Sequence, residues 1–353
     1  MKKLMLIRTT HIVLILLGIL LIESNVAQTG PNFAHTELNK FFHEYAGLQD
    51  DEIKAIQNGI AVAKVVKSPE EIVSIFGSVY IKADPEKYVT FATDIEQTSK
   101  LPGYLAIRKF SDPPKLSDLD TFTLEPDDIK ALEECKPDNC DVQLPAEKIE
   151  EFQRSIDWKS ADVTKKVNTV ARQMAFHALQ SYIHGGHAAL GTYRDKKNPN
   201  VVAESFEKLV SRAKALPVYL PDLHRYLLEY PNFESPNLKS EFHWEKVNFG
   251  LRPTLRIVQK IIYREPSRSA FAVAEKQLYS SHYFQTALDI TVCIKDSAAA
   301  GQNGFYLITT KGSQQAGLTG LKGGIVRQIA INKSRSSLEK ALTMFKKRLE
   351  QAP

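Results

Sequence analysis

Gly77-Ser-Val-Tyr-Ile-Lys-Ala-Asp-Pro-Glu-Lys-Tyr-Val-Thr-Phe-Ala-Thr-Asp94 reads as a strand handing over to a helix through one capped turn. The strand is placed at Ile72 to Ala83, where Val79 and Ile81 alternate with Tyr80 and Lys82, the period of a pleated segment with two faces. Asp84 supplies a cap and Pro85 falls in the first turn, where the missing N–H is no loss and the fixed φ already suits a helix. That helix is expected over Glu86 to Ser99, with Tyr88, Phe91, Ala92 and Ile95 at helical spacing and Leu101-Pro102-Gly103 as its stop. Upstream, Thr36 to Tyr45 and Asp50 to Asn58 read as helices and Ile60 to Val66 as a further strand.

Downstream the pattern changes twice. Residues 119–238 are helical, charged and punctuated by proline, with helices expected at Asp127 to Glu134, Ala146 to Ile156, Ala161 to Ile183, Ala203 to Ala215 and Leu223 to Tyr230. The longest carries Val163, Val167, Val170, Met174 and Ala178 as one apolar stripe. Residues 239–353 return to strands at Glu241 to Phe249, Thr254 to Arg264, Ser269 to Tyr279, His282 to Lys295 and Gly304 to Lys311. Short turns between them suit an antiparallel meander. A closing helix from about Leu318 to Gln351 shows Leu338, Ala341, Leu342, Phe345 and Leu349 on one face and Lys and Arg on the other.

A strand, a proline-initiated helix, antiparallel strands and a long terminal amphipathic helix make an α+β plan in which the helix covers one sheet face. On this order the segment from Gly77 to Asp94 resembles the opening of the helix-grip superfamily, the START-related polyketide-cyclase and lipid-transfer proteins. The close, Gly320-Leu-Lys-Gly-Gly-Ile-Val-Arg-Gln-Ile-Ala and the helix that follows, is similar to that group's glycine-bearing approach into its gripping helix. The resemblance covers about residues 72–110 and 239–350. It implies a helix-grip antiparallel sheet wrapped on a long C-terminal helix, interrupted by a helical insertion. The organisation expected is a leader over 1–27, the N-terminal helices and first part of the domain over 28–118, the insertion over 119–238, and the sheet and closing helix over 239–353. What it implies for function is an apolar small molecule or lipid held between sheet and helix.

The chain has 353 residues, a net charge of +5, 43% hydrophobic and 25% charged residues. That composition excludes collagen-like, low-complexity and wholly disordered classes. Without residues 1–27, which hold Lys2, Lys3, Arg8 and Glu23, the charge falls to +3, which gives no electrostatic case for a nucleic acid partner. Those basic residues, the apolar run from His11 to Ile22 and the exit at Ser24-Asn25-Val26-Ala27 describe a signal peptide. An uncleaved anchor is the rival reading, because Asn25 is not the small residue preferred three positions before a cut. No later stretch approaches transmembrane length. The mature chain is therefore expected to be soluble and exported across the inner membrane, to the periplasm.

Cys135 and Cys140 flank the turn-rich Lys-Pro-Asp-Asn stretch, and a structural disulfide is the favoured reading for them in an oxidising compartment. Zinc wants four ligands and finds two cysteines with no histidine nearby. Cys293 is left over, as a buried thiol in a strand. No cofactor is implied, since no glycine-rich phosphate loop and no nucleophile motif occurs.

His282 is the candidate for chemistry. Alternation with Phe284, Thr286, Leu288, Ile290 and Val292 puts it at the end of an apolar strand face, where it is either an acid/base residue or a hydrogen-bonded core histidine. Gln259 and Tyr263 share a face with Leu255, Ile257 and Ile261, and Glu275 and Tyr279 share one with Phe271 and Val273. Together with Thr286 they read either as the polar part of a cavity or as the sheet edge, and Gly320 and Gly324 read either as close approach or a gate for the closing helix or as a flexible turn before an ordinary helix. His184-Gly185-Gly186-His187, with His177 upstream, offers a weaker metal reading beside that of an ordinary helix end. A binding protein is favoured. A cavity enzyme using His282 and a structural or secretion accessory acting on a protein partner through 119–238 are the alternatives.

Overall fold

A computed structural model describes residues 35–351 apart from 251, 266–269, 296–303, 316 and 319. The leader expected over 1–27 lies outside the described residues.

The chain opens with α1 (His35–Glu44), α2 (Asp50–Gln57), β1 (Val62–Val65) and β2 (Ile72–Ile81). The Asp84 carboxylate accepts the Glu86 N–H at 2.8 Å and starts α3 (Pro85–Thr93) as the sequence predicts. The expected single helix then breaks in two. Asp94 adopts an extended conformation and its carboxylate accepts the N–H groups of Glu96 and Gln97, so it ends α3 and caps the short α4 (Ile95–Ser99). A strand not foreseen, β3 (Tyr104–Lys109), follows.

The middle of the chain builds α5 (Pro126–Glu134), α6 (Ala146–Ser155), α7 (Val163–Gly185), the two-residue strands β4 (Thr192–Tyr193) and β5 (Asn200–Val201), α8 (Val202–Arg212), α9 (Leu216–Tyr219) and α10 (Pro221–Glu229). Cys135 and Cys140 are joined in a disulfide with their Cα atoms 4.6 Å apart. The remainder is β6 (Leu238–Val247), β7 (Thr254–Arg264), β8 (Ala270–Ser280), β9 (Phe284–Lys295), β10 (Phe305–Gln315) and α11 (Gly320–Gln351).

Eight strands form one sheet in the order β1-β2-β10-β9-β8-β7-β6-β3. Every pair in it is antiparallel. Across one face, here the inner face, lies α11. Leu338 and Leu342 sit over Gly77 so closely that a Cβ there would be 2.8 Å from a methyl of each. Val79, Ile262, Val273, Phe271, Cys293 and Leu307 complete that core, with Tyr88 and Val89 of α3. This is the helix-grip arrangement, an antiparallel sheet wrapped on a long terminal helix.

The outer face is covered as well. Phe42 and Ile56 of the first two helices pack on Phe76, Tyr306 and Ile308, while Phe206, Leu223 and Leu227 pack on Ile261, Ala274 and Ile290. Leu179, Tyr182 and Phe152 lie with Trp244, Leu255 and Ile257. The sheet is therefore the middle of three layers. Because β3 pairs directly with β6, everything from 110 to 237 is one connection between adjacent antiparallel strands, folded back over the outer face.

Candidate functional site

On the inner face the register lines up charge across the sheet. Glu241 of β6 stands opposite Lys260 of β7, Lys260 opposite Glu275 of β8, Glu275 opposite Asp289 of β9, and Asp289 opposite Lys311 of β10. Toward the β6–β7 turn a second group adds Glu245, opposite Arg256, with His243 beside it. An apolar core would surround α11 on both sides if the face served packing alone. Here the half toward Gly77 is apolar and the other half is ionic.

The ions are paired. Arg256 Nη1 lies 2.8 Å from the Glu245 carboxylate, His243 Nε2 3.3 Å from its other oxygen, and Lys260 Nζ 3.4 Å from Glu275. Lys311 binds Asp289 at short range. Lys260 also donates to the Ala92 carbonyl at 2.6 Å, which fastens α3 to the row. Burial alone would raise the Glu275 carboxyl, but Lys260, His243, Lys311 and Arg256 outweigh it and hold it at about 2. Glu245 is likewise pulled down against its own burial, by Arg256 and His243. Tyr104 on β3 is pushed well up by burial and by Glu245, and Tyr88, hydrogen-bonded to Thr291, is raised by burial.

These groups sit in the middle of a covered sheet and still keep open surface: 30% of the Glu275 side chain, and 42% of Lys311 with 24% of Asp289. Central positions under a helix become buried when the helix closes on them, so α11 stands off this half of the face. In this stretch Ile331 is buried in the core, while Ala330 and Ser334 are half-buried. Arg327 ties the same stretch to the Glu70 carbonyl at 2.9 Å. The part of the row that keeps open surface offers the Glu275 and Asp289 carboxylates and the Lys311 ammonium.

Of the residues singled out from sequence, Glu275 lies in this row. Gln259 and Tyr263 face outward: Gln259 accepts the Tyr182 hydroxyl at 2.7 Å, and Tyr263 packs with the α8–α10 layer, burial and nearby Asp222 and Glu265 pushing it up to about 12. Tyr279 does not share the face of Glu275, because the register slips between Ile257 and Val258. That β-bulge turns Tyr279 outward against Tyr193. Thr286 is also on the outer side, with a buried hydroxyl that has no partner. Gly320 opens α11, while a Cβ added at Gly324 would meet nothing within 4 Å, so close approach does not require glycine there.

His282 is not in a strand. It lies in the β8–β9 turn, where Tyr283 takes φ 63°. Its Nδ1 lies 2.9 Å from the Asp141 carbonyl and its Nε2 2.9 Å from the buried Asp128 carboxylate. Both nitrogens are committed to holding that turn against the middle of the chain, away from the space under α11. His184 is exposed and bonded to the Gln180 carbonyl, whereas His187 packs edge-on to Phe206. Among the described residues no three His, Cys, Asp or Glu side chains are grouped to hold a metal.

Sequence reasoning missed Arg256, Lys260, Asp289 and Lys311. Their signal was present as one or two charges on one face of each of four successive strands, the face that also carries Ile262, Val273, Cys293 and Leu307.

No protein-family model and no curated protein matches this chain. Among solved structures it is similar to the Zhui aromatase/cyclase of a Streptomyces species, at 15% identity and a TM-score of 0.25, over 38% of this chain and 85% of that one. A likeness at that level carries no argument, and the helix-grip description rests on the strand order and α11.

Proposed function

We propose that this is an exported small-molecule-binding protein of helix-grip type, with its ligand held between the inner sheet face and the first half of α11. The observation that carries the reading is the ionic row at the centre of a covered face, open enough to be reached. Desolvation offsets much of what ion pairs under a covered face gain by pairing, so such a row is weak evidence for stability, whereas preorganised donors and acceptors are what a polar ligand needs. The expectation of a purely apolar cargo narrows accordingly. The ligand class that suits the row is an amphiphile whose hydrogen-bonding head meets Glu275, Asp289 and Lys311 and whose apolar part lies toward Tyr88 and Ile262. Export rests on the basic and apolar leader, and the disulfide agrees with it. Residues 119–238 are read as an insertion that seals the outer face.

Native mass spectrometry of protein purified from its own envelope, followed by extraction, tests this. A bound polar amphiphile should be present in the wild type and lost when Asp289 and Lys311 are replaced together by Val and Leu. An unchanged set of bound species in that folded variant would reduce the row to a structural feature.

A further inference from the structure

We propose a second ligand site on the outer face, for a small amphiphile with a single negative charge, independent of the site under α11. A cavity of about 190 Å³ lies between α1, α8–α9 and strands β2, β9 and β10. Phe41, Phe76, Leu216, Tyr219, Ile290 and Ile308 form its walls. In volume it exceeds the cavity of about 150 Å³ that takes up benzene. The cavity opens to solvent past Arg212, Lys214 and Thr310, and its mostly aromatic and aliphatic walls leave water inside it few partners.

The cavity is built by the chain. Gly312 of β10 contributes no side chain beneath it, and an added Cβ would meet Leu209 and the Leu288 carbonyl only at 3.7 Å, so the room is unfilled rather than forbidden. Above it α8 ends at Arg212 and α9 begins at Leu216, and the turn between them supplies part of the wall.

Charge selects the ligand. Arg212 and Lys214 are exposed at its rim, Arg212 also donating to the Lys67 carbonyl at 2.9 Å, and no carboxylate is among the lining residues. Lys311 contributes from β10, but its ammonium is turned to the inner face and paired with Asp289. An apolar body of about one aromatic ring or a chain of about eight carbons fits the volume. A carboxylate at its end would reach the cationic rim without entering the apolar part. A medium-chain carboxylate meets both conditions.

Calorimetric titration of the full chain with octanoate, octanol and butanoate tests the assignment. Octanoate should bind, octanol about tenfold more weakly, and butanoate not measurably. Lys214→Gln should bring octanoate down to the octanol level, and Thr310→Trp, at an exposed strand position in the cavity wall, should abolish binding of both. Octanoate binding unchanged in Glu275→Gln would separate this site from the ionic row. Because Thr310→Trp can perturb the strand, NOEs from octanoate methylenes to the rings of Phe41, Phe76 and Tyr219 give an independent readout in the wild type. Octanoate that fails to bind, that binds no better than octanol, or whose binding disappears in Glu275→Gln and survives in Thr310→Trp would overturn the proposal.

Discussion

At the scale of single residues, His282 and Glu275 show how environment assigns a role that residue type leaves open. His282 has an acceptor on each ring nitrogen, so its ring bridges the Asp141 carbonyl and the Asp128 carboxylate. Removing the carboxylate by Asp128→Ala leaves a buried donor unmatched, and a loss of about 1–3 kcal/mol is expected in urea unfolding, with ligand binding under α11 unchanged. Loss of ligand with no change in stability would return His282 to the site. Several groups make stability fall in acid, His187 and Glu275 among them. His187 is held at about 4, chiefly by burial and then by the Lys276 ammonium, against about 6.5 in an unfolded chain. Its contribution is full above the unfolded value and disappears as pH falls from about 6.5 to 4. Glu275, at about 2 in the folded protein, titrates near 4.3 when unfolded, so its contribution is lost between about 4.3 and 2. Urea midpoints should therefore decline in two steps, the upper one missing in His187→Phe and the lower one smaller in Glu275→Gln, where Glu245 and Asp118 still contribute. A wild-type midpoint constant from pH 7 to 4 would contradict the first step.

Elements behave as their local patterns direct until a neighbour intervenes. The β2–α3 junction forms as written in residues 77–94, since a capping Asp and a proline at the first turn act within four residues of chain. The bulge beside Ile257 was not readable, because it depends on how β7 and β8 pair and not on either strand alone. Gly77 marks the contact that fixes α11 on β2. Gly77→Val should be overpacked against Leu338 and Leu342 and lose about 1–3 kcal/mol, seen as a lower thermal midpoint. A neutral result would mean that the helix shifts to make room. The Cys135–Cys140 loop is short, so Cys140→Ala should lower stability by less than the roughly 3 kcal/mol expected for a 15-residue loop and leave ligand binding intact. A large loss would show that the bridge holds more than its own turn.

For the whole molecule, the connection from 110 to 237 decides what the sheet can be. Replacing it with a short turn keeps the β3–β6 pairing possible but uncovers Ile257, Ile261, Ala274 and Ile290 on the outer face. That trimmed chain is expected to aggregate and to lose its cooperative thermal transition. If it stayed monomeric and folded, the connection would be an independent module and the accessory-protein reading would gain. The exposed large apolar side chains within 119–238 are Val201, Val218 and Leu228, on three different elements. The sequence by itself determined the order of the main elements other than β3 and the α3–α4 break, the proline-capped junction, the disulfide turn and the amphipathic stripe of α11, because each follows from interactions within a few residues or from one face of one helix. It also separated each strand into two faces. Which face turns toward α11 was decided only in the tertiary structure, since period two is symmetric and the middle of the chain makes the outer face as apolar as a core. For that reason Gln259, Tyr263 and Tyr279 were grouped with Glu275, although the fold sets them on the opposite side, and the row from Lys260 to Lys311 emerged only when the strands were placed in register.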